Sequence, residues 1–308
     1  MEGYLFLISE LLDRYGIEHK VYFNKSNQSL FIHYFKMLKE MLIGEAIVIC
    51  ISQEFILPFF PKRQIVFFHD LIQLSYPRKK IVYLYYKYYL LNIARCVLGN
   101  ITTAVSTQEK LKHKKINSDV VYRLHSKKDL TITFHPKKEY FAVYVGTNAK
   151  HKNLNIFISA ANHFKDKKFI VIVPEYVYRQ ISKHEAPNII FFRNLSLERY
   201  NEVLQQTEFF VSPSYEEGYG PVWDGLRNGC KCILSDIEVY RELFEEVAHF
   251  FDPNNLEQLI NLMANDKFKF NELYFNNLKS IKYSIKLSEE KFIKLISNKI
   301  KNQQKRIM

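Results

Sequence analysis

Glu216, Glu217 and Asp224 lie close together in SPSYEEGYGPVWDGLRNGCKCILSD, residues 212–236. The same stretch holds the only tryptophan, Trp223, and four of the chain's nine glycines, at 218, 220, 225 and 229. The apolar run before it reads as a buried strand ending at Pro213. A helix is expected to begin near Pro221, because proline suits the first helical turn, where its missing N–H has no partner to lose. A glycine loop between the two brings unpaired amides and the positive end of a helix dipole to one point, which is an anion site with phosphate as its usual occupant. Carboxylates repel phosphate but are natural acceptors for sugar hydroxyls. Phosphate and hydroxyls together point to a nucleotide sugar. The plain alternative, acids decorating a solvated loop, does not account for so many glycines in so short a span.

Such a loop needs a frame. Strand candidates are 19–23, 46–52, 64–68, 101–106 and 119–124, then 140–146, 168–173, 188–192, 208–212 and 230–235. Most are continuous apolar runs, as expected of parallel strands covered on both faces. Helical patterns over 28–42, 78–97, 154–165, 197–206 and 255–265 alternate with them, so the fold class is α/β, with two doubly wound sheets. The polar, basic stretch 125–139 reads as an interdomain linker, and the residues from about Lys267 onward read as helices. A length of 308 residues suits two domains, and 47% hydrophobic residues can fill their cores.

The first residues carry acids in their apolar run and make a poor signal peptide, and no apolar run is long enough to span a bilayer. Cys50, Cys96, Cys230 and Cys232 have no framework spacing. Reduced thiols and a cytoplasmic location are expected, with a peripheral place at a membrane left open. The net charge of +12 is unevenly spread. Residues 1–137 carry 20 bases and 11 acids (+9), residues 138–266 carry 13 and 18 (−5), and residues 267–308 carry 11 and 3 (+8). Ordinary solubility explains this polarity, and so does an anionic surface.

The acidic loop resembles the signature of family 4 glycosyltransferases of the GT-B fold, P-S-x-x-E-G-F-G-x-P-x-x-E-A. YVGTNAKHKNL (144–154) is similar to that family's V-G-T-x-x-P-R-K-N-L segment. SDIEVYRELFEEVAHFFDPNN (235–255) is similar to the family's segment on the carboxyl side of the loop, and FFHDLIQLSYP (67–77) and ITTAVSTQEKL (101–111) to first-domain motifs. The correspondence covers roughly residues 64 to 265. It implies two Rossmann-like domains facing across a cleft: an acceptor domain over 1–130, a donor domain over 131–285, and a C-terminal helix, 286–308, returning to the first. Family members open with a strand and a glycine-rich turn, whereas this chain opens in helix-like sequence with Gly3 alone. The first sheet is thus expected to lack its first strand, or the start to lie upstream.

The resemblance also implies roles. The first acid of the loop would hold the donor sugar and the second the ribose. Local context makes Glu217 the first and Asp224 the second, whereas counting the family's seven intervening residues selects Glu216, and both remain open. Gly218, Tyr219 and Gly220 form the turn. Lys152 matches the lysine on the donor diphosphate, with His151 where arginine is usual; an ordinary surface lysine is the plain alternative. Thr147 and Asn148 lie in the strand-end turn facing phosphate, and His69 matches a histidine that contacts the donor sugar. The implied activity is a retaining sugar transfer from a nucleotide-diphosphate sugar to a glycan or lipid-linked acceptor. No protein nucleophile, cofactor or metal is implied, and the chain has neither an Asp-x-Asp nor a His/Cys cluster of ligand spacing. RKKIVYLYYKYYLLNIARC (78–96) either packs on the first sheet or lies against an anionic membrane. Two other classes stay in view. One is a non-catalytic nucleotide-sugar binder, and the other a nucleic-acid binder, which the acidic loop and the lack of any reader motif disfavour.

Overall fold

The computed structural model describes residues 2–21, 30–43, 46–122, 124, 133, 138–181, 186–218, 220–265 and 285–307. Most of the 125–139 stretch lies outside them, as do Tyr219, Tyr22 and Phe23. Two compact units divide the chain, residues 1–126 with 282–308, and residues 127–281.

The first unit holds a sheet of four parallel strands in sequential order: β1 (Val48–Cys50), β2 (Gln64–Phe68), β3 (Gly99–Thr102) and β4 (Asp119–Val120). Strand β2 is buried along its whole length, and its alternating side chains feed two cores. Ile65 and Phe67 join Ile8, Leu11 and Leu12 of the helix Glu2–Arg14, together with Phe292, Ile293 and Ile296 of the helix Ile285–Ile307. Val66 and Phe68 face the other way, toward Tyr86, Leu90 and Leu91. Those three belong to a helical run made of Lys80–Leu84, a π-helical stretch Tyr85–Leu90 and Leu91–Ala94. Residues 19–21, expected to begin a strand, are irregular instead. His19 is tied to Ser9 (2.6 Å) and to the carbonyl of Ile17 (2.9 Å), which folds the segment back onto the preceding helix.

The second unit holds six parallel strands: β5 (Tyr140–Val145), β6 (Phe169–Val173), β7 (Ile189–Arg193), β8 (Thr207–Ser212), β9 (Lys231–Ser235) and β10 (Ala248–Phe251). Their order is β10-β9-β8-β5-β6-β7. The chain builds outward from β5 to β7, then returns to β5's other edge and builds outward again through β8. Neighbours β5 and β8, paired through Ala142 with Phe209 and Val143 with Phe210, therefore diverge at their carboxyl ends. Loops leaving such a switch point open a crevice, the usual ligand position in open α/β sheets. Strand β10 is an addition to the expected set. It is short and half-exposed on an edge, so its sequence lacks the apolar run that marks the inner strands.

Candidate active site at the sheet switch point

Strand β5 ends in the turn Gly146–Asn148, and β8 in the acidic loop. The two loops are stitched together: Tyr215 N–H donates to the His151 carbonyl at 2.7 Å. Beside them lies a pocket of about 410 Å³, lined by Val145, Gly146, Thr147, Lys152, Ile172, Val173, Pro174, Asn194 and Pro221. Its walls come from the carboxyl ends of β5 and β6, the turn after β7, and the end of the glycine loop.

Lys152 and Glu217 meet at this point as an ion pair. Glu217 is 7% exposed, and its Oε1 also accepts from Ser214 Oγ at 3.3 Å. A buried carboxylate needs such partners, because desolvation otherwise disfavours its charge. Behind it stands Tyr240, from the helix Glu238–Phe244, fully buried and sharing a 2.6 Å hydrogen bond with Ser212 Oγ. Its hydroxyl is also hydrogen-bonded with Ser214. Burial first, then the Glu217 carboxylate, pushes the Tyr240 phenol well above its ordinary range. The same two causes raise Tyr144. Both phenols thus stay protonated wherever the protein is folded near neutrality. Tyr144 OH donates to the Thr147 carbonyl at 2.6 Å and props the first turn from below.

Gly220 has φ +61°, and a Cβ built there would lie 3.4 Å from Tyr240 OH and 3.8 Å from Glu217 Oε1. Left-handed backbone directly over the carboxylate is the physical need behind this glycine. Gly218 is buried and Glu216 is half-buried beside it, while Tyr219 lies outside the described residues. Pro221 forms the N-cap of a helix of six residues, Val222–Arg227, and does not occupy its first turn as expected.

The remaining expected residues sit elsewhere. Asp224, 35% exposed at its side chain, accepts from Tyr200 OH at 3.2 Å and pairs with Arg227 Nε at 3.4 Å; it does not line the pocket. Asn148 is exposed and donates to Gln180 Oε1 at 2.8 Å. His69 belongs to the first unit and follows β2. Its Nε2 lies 2.7 Å from the Ile51 carbonyl, and its ring stacks on Phe67 at 6.3 Å between centroids. No group of three metal-ligating side chains occurs among the described residues.

Sequence reading did not anticipate Tyr240, Ser214, Tyr144 or Asn194. Tyr144 lies within the expected strand 140–146, and Tyr240 falls in none of the expected elements. Asn194 left a usable trace, since asparagine after a strand tolerates the left-handed conformation it adopts, φ +47°.

These two parallel-sheet units define the GT-B class of fold, and solved structures agree. Anabaena HepE in complex with UDP-glucose superposes with a TM-score of 0.70 at 13% identity, covering 94% of this chain and 88% of that one. A Staphylococcus aureus TarM mutant, solved in complex with UDP among other ligands, gives 0.65 at 15% identity over 84% of this chain; the match spans 57% of TarM's length. Residues 126–269 match the family model described as Glycosyl transferases group 1, a span that lies almost wholly in the second unit. Among characterised proteins, the O-antigen chain mannosyltransferase RfbU of Salmonella typhimurium is 23% identical over an alignment 244 residues long that covers 71% of this chain and 68% of RfbU.

Proposed function

We propose that this protein moves a hexosyl group from a nucleotide-diphosphate sugar to a glycan or lipid-linked acceptor, in the biosynthesis of an O-antigen-like polysaccharide or glycoconjugate. The observation that carries the reading is the Lys152–Glu217 pair beside a pocket at the β5/β8 switch point. The functions that the relatives' names carry point the same way. Binding would separate the pair: the Lys152 ammonium turns to the diphosphate, and the Glu217 carboxylate, freed from it, accepts from sugar hydroxyls. Asp224 would hold the ribose, which requires it to share its oxygens with Tyr200 and Arg227. Thr147 and the amides of Gly218 and Gly220 would meet phosphate oxygens, and His69 the donor sugar.

In the proposed step the bond from the anomeric carbon to the diphosphate oxygen breaks. The acceptor oxygen bonds that carbon on the same face, and its proton passes to the departing diphosphate. Configuration is retained without a protein nucleophile or a metal. Lys152 would stabilise charge growing on the leaving group, the largest catalytic contribution open to such a site.

The test is release of nucleoside diphosphate from mannose and glucose donors, with polysaccharide or lipid-linked acceptor and excess chelator. Activity should survive chelation, with the product keeping the donor's anomeric form. Lys152→Met and Glu217→Gln should each lower kcat by about 10²-fold, the order lost with one stabilising group. Wild-type turnover in both variants would remove the assignment. Donor binding without product would make the chain a binder and not an enzyme.

A further inference from the structure

The helical run from Lys80 to Ala94 has one side in the core of the first unit and a second side that is exposed. Ile81 is 67% exposed, Leu84 36% and Tyr88 60%. Their spacing, i, i+3 and i+7, is that of one helical face. Around them Arg78, Lys79, Lys80 and Lys87 are all exposed. Lys87 Nζ lies 5.4 Å from the Tyr83 ring centroid and 5.2 Å from that of Tyr88, so its stem covers aromatic surface while its charge stays outermost. No Asp or Glu occurs anywhere from Leu71 to Gln108. Aliphatic and tyrosine side chains on an acid-free basic helix therefore form a single patch.

We propose that this face of the first unit docks on an anionic phospholipid bilayer, with Ile81, Leu84 and Tyr88 entering the headgroup boundary and the flanking bases meeting lipid phosphates. Three features select that occupant. Aliphatic side chains gain from an acyl boundary and gain nothing from nucleic-acid phosphates. The bases complement an anionic surface. A second copy of the chain docking through this same face would meet like charge and be repelled. Among the described residues no helix is long and apolar enough to cross a membrane, so the contact is one of lying on the surface.

Co-sedimentation of the full chain with vesicles tests this. Vesicles containing phosphatidylglycerol should retain the protein, and phosphatidylcholine alone should not. Added salt should release it. Each of Lys79→Gln and Lys80→Gln should weaken binding about fivefold, the fold-change matching a single base near such a surface. Ile81→Asp and Tyr88→Asp should weaken it further, while far-UV circular dichroism and Tm stay unchanged because both side chains are exposed. Leu197→Asp, at an equally exposed site in the second unit, should bind as wild type. Equal retention on both vesicle types, wild-type binding by Ile81→Asp, or binding to duplex DNA in place of vesicles would each overturn the proposal. None of these outcomes bears on sugar transfer, which is read with a soluble donor.

Discussion

Tyr240 is the side chain on which the most of the candidate site converges. Its hydroxyl connects Ser212 and Ser214, and Ser214 in turn donates to the carboxylate paired with Lys152. Replacing tyrosine by phenylalanine leaves the ring in place but strips two buried serines of a partner, at a cost of about 1–2 kcal/mol. Tyr240→Phe should therefore lower the urea midpoint modestly. It should lower kcat about tenfold by loosening Glu217, on the scale of about 1.4 kcal/mol per decade. The decisive comparison is with Glu217→Gln. If Tyr240 acts through Glu217, Tyr240→Phe in that background causes no further loss of kcat while its stability cost persists. An equal further loss would give Tyr240 a role of its own. The acids beside glycines could be flagged from their chemistry alone, whereas Lys152 stood out only through the family resemblance. The pairing of Lys152 with Glu217 across 65 residues of chain was not legible in the sequence, because only the order of β5 and β8 in the sheet brings them together.

Among the elements, the short helix Val222–Arg227 fixes the glycine loop by lying tight against β8. A Cβ at Gly225 would stand 2.5 Å from Phe210 Cγ and 2.8 Å from Phe210 Cβ, too close to the backbone end of that side chain for a rotamer change to relieve it. Gly225→Ala should push the helix outward, cost about 1–3 kcal/mol, and raise the donor KM by moving Pro221 at the pocket's edge. Unchanged stability and KM would mean the helix does not set the loop. Inner strands such as β2, β6 and β8 were visible in sequence because burial on both faces demands unbroken apolar runs. Strand β10 and the irregular residues 19–21 were not, because an edge strand tolerates polar side chains and aromatic content alone does not fix pairing. The helix expected at Pro221 was right in place, but its six residues give a weaker dipole than the anion-site argument assumed.

At the scale of the molecule, the two units hold separate cores with different acid–base character. The first buries Cys50, whose thiol burial pushes up to about 12, and Tyr86, also raised by burial and then by Glu54. The second buries Cys230, likewise pushed to about 12, with Cys232, Tyr144, Tyr200 and Tyr240 all raised, burial being the first cause in each. Unfolding returns these groups to roughly 8.5 for thiols and 10 for phenols. The folded state therefore binds more protons than the unfolded state above those values. The stability tied to these groups is intact below about pH 8.5 and lost progressively as pH rises toward the folded values. With more such groups among the described residues, the second unit should have the steeper alkaline limb. Trp223, the only tryptophan, is 6% exposed in that unit and reports it alone. Tryptophan-detected urea midpoints should hold from neutrality to about pH 8.5 and then fall faster than the midpoint read by far-UV circular dichroism, which averages both units. In the native protein at pH 8, a thiol reagent should modify exposed Cys96 at once and the three buried cysteines only on unfolding. Rapid native modification of all four thiols, or tryptophan midpoints flat to pH 11, would contradict this account of the buried groups, about one unit beyond the free phenol value.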